Sequence, residues 1–281
     1  MKDISRAQGR ITKVIKDIPV VLLCGGKGTR IKEMTEVMPK PMVEVGDKPI
    51  LWHIMKIYSS YGYNNFNICL GYKGHKIKEY FLNYELMQSD ITLDLGRKDN
   101  TTIHNTHNEN DWKVTLANTG EDNMTGSRIK QIQKYIHTDY FMLTYGDGLC
   151  DVNIDRLVDF HLSHGKIGTV LGVHPPARFG ELQNANDQVV KFSEKPQTSD
   201  GRINGGFFVF NKEIFNYVSA DEDCIFEKEP LERLAADGEL MMYRHDGFWQ
   251  CMDTVRDNEY LNKQWNDNPP WAVWRNTVVP R

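Results

Sequence analysis

No stretch of the sequence matches Gly-x-x-x-x-Gly-Lys-Ser/Thr, and after Gly26 and Gly28 the frame Gly-x-Gly-x-x-Gly fails because Ile31 takes the third glycine's place. The first absence argues against a P-loop kinase or ATPase, the second against a dinucleotide-binding fold. No apolar run approaches membrane-spanning length, and residues 1–17 lack the apolar core of a signal peptide, so a cytoplasmic protein with no membrane partner is expected. The five cysteines, at 24, 69, 150, 224 and 251, are odd in number and never form a C-x-x-C pair. Reduced thiols are expected, not disulfides or a structural zinc site. Positive charge is not in excess either: 34 Lys and Arg against 38 Asp and Glu give a net charge of -4. Nucleic-acid binding relies on a positive field and is not expected, so any phosphate-binding charge must be local. A Gly-x-Ser-x-Gly elbow and a flanked catalytic cysteine are missing, which leaves hydrolase chemistry unsupported. His104-x-x-His107 and His161-x-x-His164 have ligand-like spacing without an accompanying Cys or Glu-x-x-His pattern, and surface histidines are the expectation.

What is present is enough for a large core. With 281 residues, 40% hydrophobic and 26% charged, the chain suits one α/β domain, and no linker, repeat or low-complexity tract divides it. Runs rich in β-branched and aromatic residues predict strands over residues 20–24, 66–70, 141–145, 169–173 and 206–210. Apolar spacing predicts helices over residues 50–58, 75–84 and 154–161. Alternation of the two implies a mostly parallel sheet covered by helices on both faces, with ligands at the carboxyl ends of the strands. The polar, alternating stretch 89–118 predicts a small antiparallel insertion. Residues 1–17 carry Lys2, Arg6, Arg10, Lys13 and Lys16 against Asp3 and Asp17, and are expected to be a basic extension to a domain spanning 18–281.

The densest signal is Val20-Val21-Leu22-Leu23-Cys24-Gly25-Gly26-Lys27-Gly28-Thr29-Arg30, followed by Lys40-Pro41-Met42. A buried strand that breaks into glycines lets polyphosphate approach backbone N–H groups, while Arg30 and Lys40 add positive charge. A second strand runs into Tyr145-Gly146-Asp147-Gly148, where the glycines would let a ligand come close to the carboxylate. Asp253 in Met-Asp-Thr is a weaker candidate, since Asp before Thr commonly caps a helix.

With Gly71-Tyr72-Lys73-Gly74, Thr119-Gly120, Met124-Thr125-Gly126-Ser127-Arg128, Glu194-Lys195-Pro196, Asn204-Gly205-Gly206-Phe207-Phe208 and Phe248-Trp249-Gln250-Cys251-Met252-Asp253-Thr254, these segments resemble sugar-phosphate nucleotidylyltransferases over nearly the whole chain. The resemblance implies a single-domain, Rossmann-like nucleotidyltransferase fold and, within the family, members that use CTP and glucose 1-phosphate to supply surface-glycan synthesis. It assigns the nucleotide to Leu23, Gly25, Gly26, Gly28, Thr29, Arg30, Lys40, Thr119, Gly120 and Arg128, with Arg30 near the departing pyrophosphate and Lys40 near the reacting α-phosphate. The sugar phosphate falls to Tyr145, Gly180, Glu194, Lys195, Asn204 and Gly205, and Mg²⁺ to Asp147 and Asp253. Arg30, Lys40 and Asp147 are the implied catalytic residues. Ser127, Met38 and Asn118 depart from the family pattern, where glycine, lysine and aspartate are usual. Families of this kind resemble closed homo-oligomers, and Trp265, Trp271 and Trp274 suggest an aromatic anchor for packing or subunit contact. Spacing does not identify the base: UTP or dTTP, another sugar 1-phosphate, and a non-catalytic sugar-nucleotide-binding subunit remain alternatives.

Overall fold

Val20–Cys24 is buried along its whole length, so this strand must have covered neighbours on both sides and both faces. The structure, a computed structural model, describes residues 16–96, 100–105, 107–175, 181–185, 188–193 and 201–275. In it, seven strands form one sheet: β1 (Val20–Cys24), β2 (Asn65–Leu70), β3 (Lys113–Asn118), β4 (Tyr140–Tyr145), β5 (Gly168–Val173), β6 (Ile203–Asn211) and β7 (Leu240–His245), in the order β7-β5-β6-β4-β1-β2-β3. All neighbours are parallel except the two pairs made by β6, which runs antiparallel to β4 and β5.

Alternation along β1 sends Val20, Leu22 and Cys24 into one core and Val21 and Leu23 into the other. The first core receives the helices Ile50–Ser59 and Ile154–His164; the second receives Thr125–Ile132 and Glu229–Ala236. From β1 the chain builds outward through β2 and β3, then returns to the other side of β1 with β4. The connections therefore diverge at the carboxyl ends of β1 and β4, which leaves a crevice there. Gly25 and Gly146 are the residues that open onto it.

Two expectations need correcting. The insertion does contain an antiparallel ribbon, Ile91–Leu93 with Thr101–Ile103, but Lys113–Asn118 belongs to the central sheet as its parallel edge, Val114 beside Phe66. An edge strand is only half-covered, so its apolar alternation imitates that of a surface hairpin. The helix predicted over 75–84 is two, Gly74–Leu82 and Tyr84–Gln88, divided at Asn83, whose backbone leaves helical dihedrals and whose side chain donates to the Glu79 carbonyl at 2.8 Å.

The tryptophan-rich end packs on its own subunit. Trp271 is fully buried and points its indole N–H at His53 Nδ1, 3.3 Å away, while His53 Nε2 meets the Val45 carbonyl at 2.8 Å. Trp265 lies so close to Gly46 that a Cβ there would stand 2.1 Å from the indole nitrogen. Among the described residues no helix is long and apolar enough to cross a membrane.

Candidate active site

The crevice is a cleft of about 370 Å³ lined by the glycine loop, Arg30, Lys40, Arg128, Tyr145, Asp147 and Glu227. Its charged floor is assembled by a two-stranded ribbon. Gly148–Cys150 pairs antiparallel with Trp249–Cys251, and the Met252 N–H donates to the Asp147 carbonyl at 2.9 Å. Asp147 and Asp253, far apart in sequence, thereby flank the same ribbon end.

Both carboxylates converge on one ammonium. Lys40 Nζ lies 2.5 Å from Asp147 Oδ2 and 2.7 Å from Asp253 Oδ1, with only 11% of the lysine side chain exposed. Burial by itself would lower the Lys40 pKa, but the two carboxylates more than offset it and hold the ammonium above the ordinary lysine value. Burial likewise pushes Asp253 upward, and Lys40 and then Arg30 bring it net below the usual carboxylate range. Arg30 Nη1 donates to Asp253 Oδ2 at 2.6 Å from a side chain that is 74% exposed, so this pair adds little stability and leaves the guanidinium facing the cleft mouth. The helix-capping role is taken by Thr254, whose hydroxyl accepts from Asp257 N–H in a capping box ahead of Val255–Asn266. Asp253 is thus free of that duty.

Arg128 lines the cleft and is tied to the loops around it. Its buried guanidinium donates to the carbonyls of Leu70, Gly120, Gly25 and Glu121 and to the Thr119 hydroxyl, at 2.6–3.1 Å. With its donors engaged by these loops, Arg128 positions the glycine loop. Thr119 and Gly120 belong to the same knot. Gly28 takes positive φ, and its carbonyl accepts from Ile31 N–H and the Thr35 hydroxyl, which folds Thr29 and Arg30 into a short helical turn above Lys40. Gly26 has open space around its α-carbon. Gly146 is required by packing, since a Cβ there would meet the Leu23 carbonyl at 2.9 Å and Pro41 at 3.0 Å.

At the other end of the cleft, the Tyr145 hydroxyl donates to Glu227 Oε1 at 2.6 Å and accepts from Asn204 Nδ2 at 3.1 Å. The Thr125 hydroxyl donates to the second Glu227 oxygen at 2.7 Å. Gly205 presents its carbonyl to the Trp249 indole at 2.7 Å. Gly180, Glu194 and Lys195 lie outside the described residues. Glu227 escaped sequence reasoning; its one local cue is a position just ahead of a helix that has proline in its first turn. The histidine pairs are not alike: His161 is buried, its Nδ1 at 2.9 Å from the Thr169 hydroxyl, which His164 Nε2 also meets at 2.7 Å, so the expectation of surface histidines fails for His161.

Residues 19–268 match the model of the family described as nucleotidyl transferase. The glucose-1-phosphate cytidylyltransferase of Salmonella typhimurium is 48% identical over 256 residues, covering 90% of this chain and 98% of that protein. The probable glucose-1-phosphate cytidylyltransferase of Bacillus subtilis is 47% identical, covering 90% and 99%. Among solved structures, HddC from Yersinia pseudotuberculosis complexed with GMP-PN superposes with a TM-score of 0.64 at 24% identity, over 88% of this chain and 99% of that one, which speaks to the fold.

Proposed function

The chain belongs to the nucleotidyl transferase family, and we propose that its cleft joins CTP to glucose 1-phosphate, giving CDP-glucose and pyrophosphate. The observation that carries the chemistry is the convergence of Asp147 and Asp253 on Lys40 beside the glycine loop. The choice of CTP and glucose 1-phosphate follows the names of relatives at 47–48% identity. In this reading residues 18–281 act as one nucleotidyltransferase domain.

An attacking sugar phosphate and a nucleoside triphosphate repel each other, so the site must neutralise charge and hold the two in line. A phosphate oxygen of the sugar phosphate forms a new bond to the α-phosphorus while the bond from that phosphorus to the β-phosphate bridging oxygen breaks. Pyrophosphate leaves. The loop from Leu23 through Thr29 receives the triphosphate, Arg30 faces the departing pyrophosphate, and Lys40 faces the α-phosphate. Tyr145, Asn204 and Gly205 orient the sugar, joined by Glu194, Lys195 and Gly180 from outside the described residues.

Asp147 and Asp253 fit Mg²⁺: they are hard oxygen donors that already meet at one cationic point. When bound there the ion supplies Lewis-acid neutralisation of phosphate charge. A protein that only binds a nucleotide sugar has less need of that paired carboxylate and ammonium. We further propose a homo-oligomer. Pyrophosphate release measured with each nucleoside triphosphate against each of several sugar 1-phosphates tests the function. Release confined to CTP with glucose 1-phosphate is the expected result; release with UTP or dTTP, or none at all, would replace this reading.

A further inference from the structure

Three donor groups that nucleotidyl transfer does not use meet beside the ribbon. The Cys150 thiol, an Asp151 carboxylate oxygen and a His245 ring nitrogen lie within 4.8 Å of one another. Cys150 ends one ribbon strand, Asp151 follows it, and His245 ends β7. Pairing of Cys150 with Trp249, and a bond from Asp151 N–H to the Phe248 carbonyl at 3.2 Å, hold these segments together.

The cluster is built closely. His245 Nε2 lies 2.9 Å from Asp151 Oδ1 and 3.3 Å from the Phe248 carbonyl, which brings a further oxygen donor to the set. Gly247 permits the approach, for a Cβ there would meet Asp151 Oδ1 at 2.5 Å and His245 Cε1 at 2.8 Å. Burial pushes the fully buried Cys150 thiol above its ordinary range, and hydrogen bonds from the backbone N–H groups of Val152 and Asp151 offset only part of that rise. A cation held between the three groups supplies the positive charge that favours the thiolate, which is the form that ligates metals.

We propose that Cys150, Asp151 and His245 form a binding site for one zinc-class divalent cation, separate from the Asp147 and Asp253 pair. A thiolate, an imidazole and a carboxylate suit zinc or cobalt, whereas magnesium takes oxygen ligands. Tetrahedral zinc sets its donors about 3.5 Å apart, so the observed spacing needs only small side-chain rotations to close. On binding, the Cys150 thiol loses its proton to solvent, and the His245 proton resides on Nδ1 so that the Nε2 lone pair faces the cation. Such an ion would tie the end of β7 to the ribbon that presents both catalytic-site aspartates. The three residues show no zinc spacing in the sequence because β7 and the ribbon meet only in the fold.

The test is a Co²⁺ titration of the full-length protein, first stripped by a chelator and then given excess Mg²⁺ to occupy the acidic pair. A thiolate-to-cobalt charge-transfer band with tetrahedral visible absorption, saturating at about one ion per chain, is expected. Cys150→Ser should abolish the band, and His245→Gln should weaken cobalt binding by about tenfold or more. Cys251 is the control, because its thiol lies 3.6 Å from Asp253: Cys251→Ser should keep the band. A native protein without the band, or a band that follows Cys251 instead of Cys150, overturns the proposal. Circular dichroism of Cys150→Ser establishes its folding, and if it does not fold, the native titration and His245→Gln decide.

Discussion

Arg128 Nη2 donates to the Gly25 carbonyl across 3.0 Å, and its guanidinium carbon fills the space a side chain at position 25 would need, 2.2 Å from where a Cβ would stand. The same guanidinium lies against Gly71, where a Cβ would be 2.5 Å from Nη1. Glycine at both positions is therefore demanded by an arginine arriving from the helix Thr125–Ile132. The glycine loop is held from beneath by fixed donors.

Arg128→Lys should consequently fail almost as badly as Arg128→Met. Lysine keeps the charge but cannot serve five acceptors in a planar fork. The expected outcome is a rise of about tenfold or more in KM for CTP in both variants, with faster amide hydrogen exchange over residues 25–28. Near-native KM in Arg128→Lys would return Arg128 to a direct charge role at the phosphate.

Asp147→Asn preserves shape and removes the charge that faces Lys40. Turnover should fall by about a hundredfold or more while the circular dichroism spectrum stays native. A native spectrum with native pyrophosphate release would remove Asp147 from the chemistry.

Lys195→Ala tests the sugar-phosphate assignment, which rests on the sequence motif. Loss of a charge-assisted contact is worth about 1.5–3 kcal/mol, or about tenfold to a hundredfold in KM for glucose 1-phosphate, with KM for CTP nearly unchanged. Equal changes for both substrates would place Lys195 at the nucleotide.

Stability should fall on mild acidification. Burial pushes His53, and burial with His164 nearby pushes His161, from 6.5 down to about 4. Each is neutral when folded, so between about 6.5 and 4 the unfolded chain binds more protons. Their full contribution is present above about 6.5 and is lost as pH drops through that window, by about 3 kcal/mol apiece at its acid end. Urea midpoints at pH 7.5, 6 and 5 would show the decline, and His161→Asn, which keeps a polar group near the Nδ1 position, should flatten it. An unchanged slope in that variant would point to other groups.

The basic extension should be dispensable for turnover up to Lys16. Lys16 Nζ donates to the Tyr61 carbonyl at 2.6 Å and to Asp155 at 2.5 Å, and lies over the Tyr63 ring. Deleting residues 2–15 should leave kcat nearly unchanged, and light scattering on both forms would report the subunit number. A monomeric, fully active full-length protein would refute the oligomer.

Strand β1, the helix Ile50–Ser59 and the glycine loop were legible because each is a local pattern: an unbroken apolar run, a 3.6-residue spacing, a cluster of residues without Cβ. The glycine loop with Arg30 and Lys40, and Asp147 between its glycines, pointed to the cleft for the same reason. Other features had no local pattern to carry them. Lys113–Asn118 joined the sheet because the edge beside β2 was open, whereas its alternation resembled a hairpin. Asp253 keeps its carboxylate for Lys40 and Arg30 because Thr254 and Asp257 cap the helix between them, and Arg128 braces the glycine loop because Gly25, Gly71 and Gly120 surround it. Glu227 entered the cleft by reaching Tyr145 across 82 residues of chain. The sequence by itself determined which residues could carry phosphate and metal chemistry, since charge and backbone freedom are properties of single residues. Which of them face the cleft and which hold it open was decided by tertiary structure, because hydrogen bonds and desolvation depend on neighbours that only folding supplies.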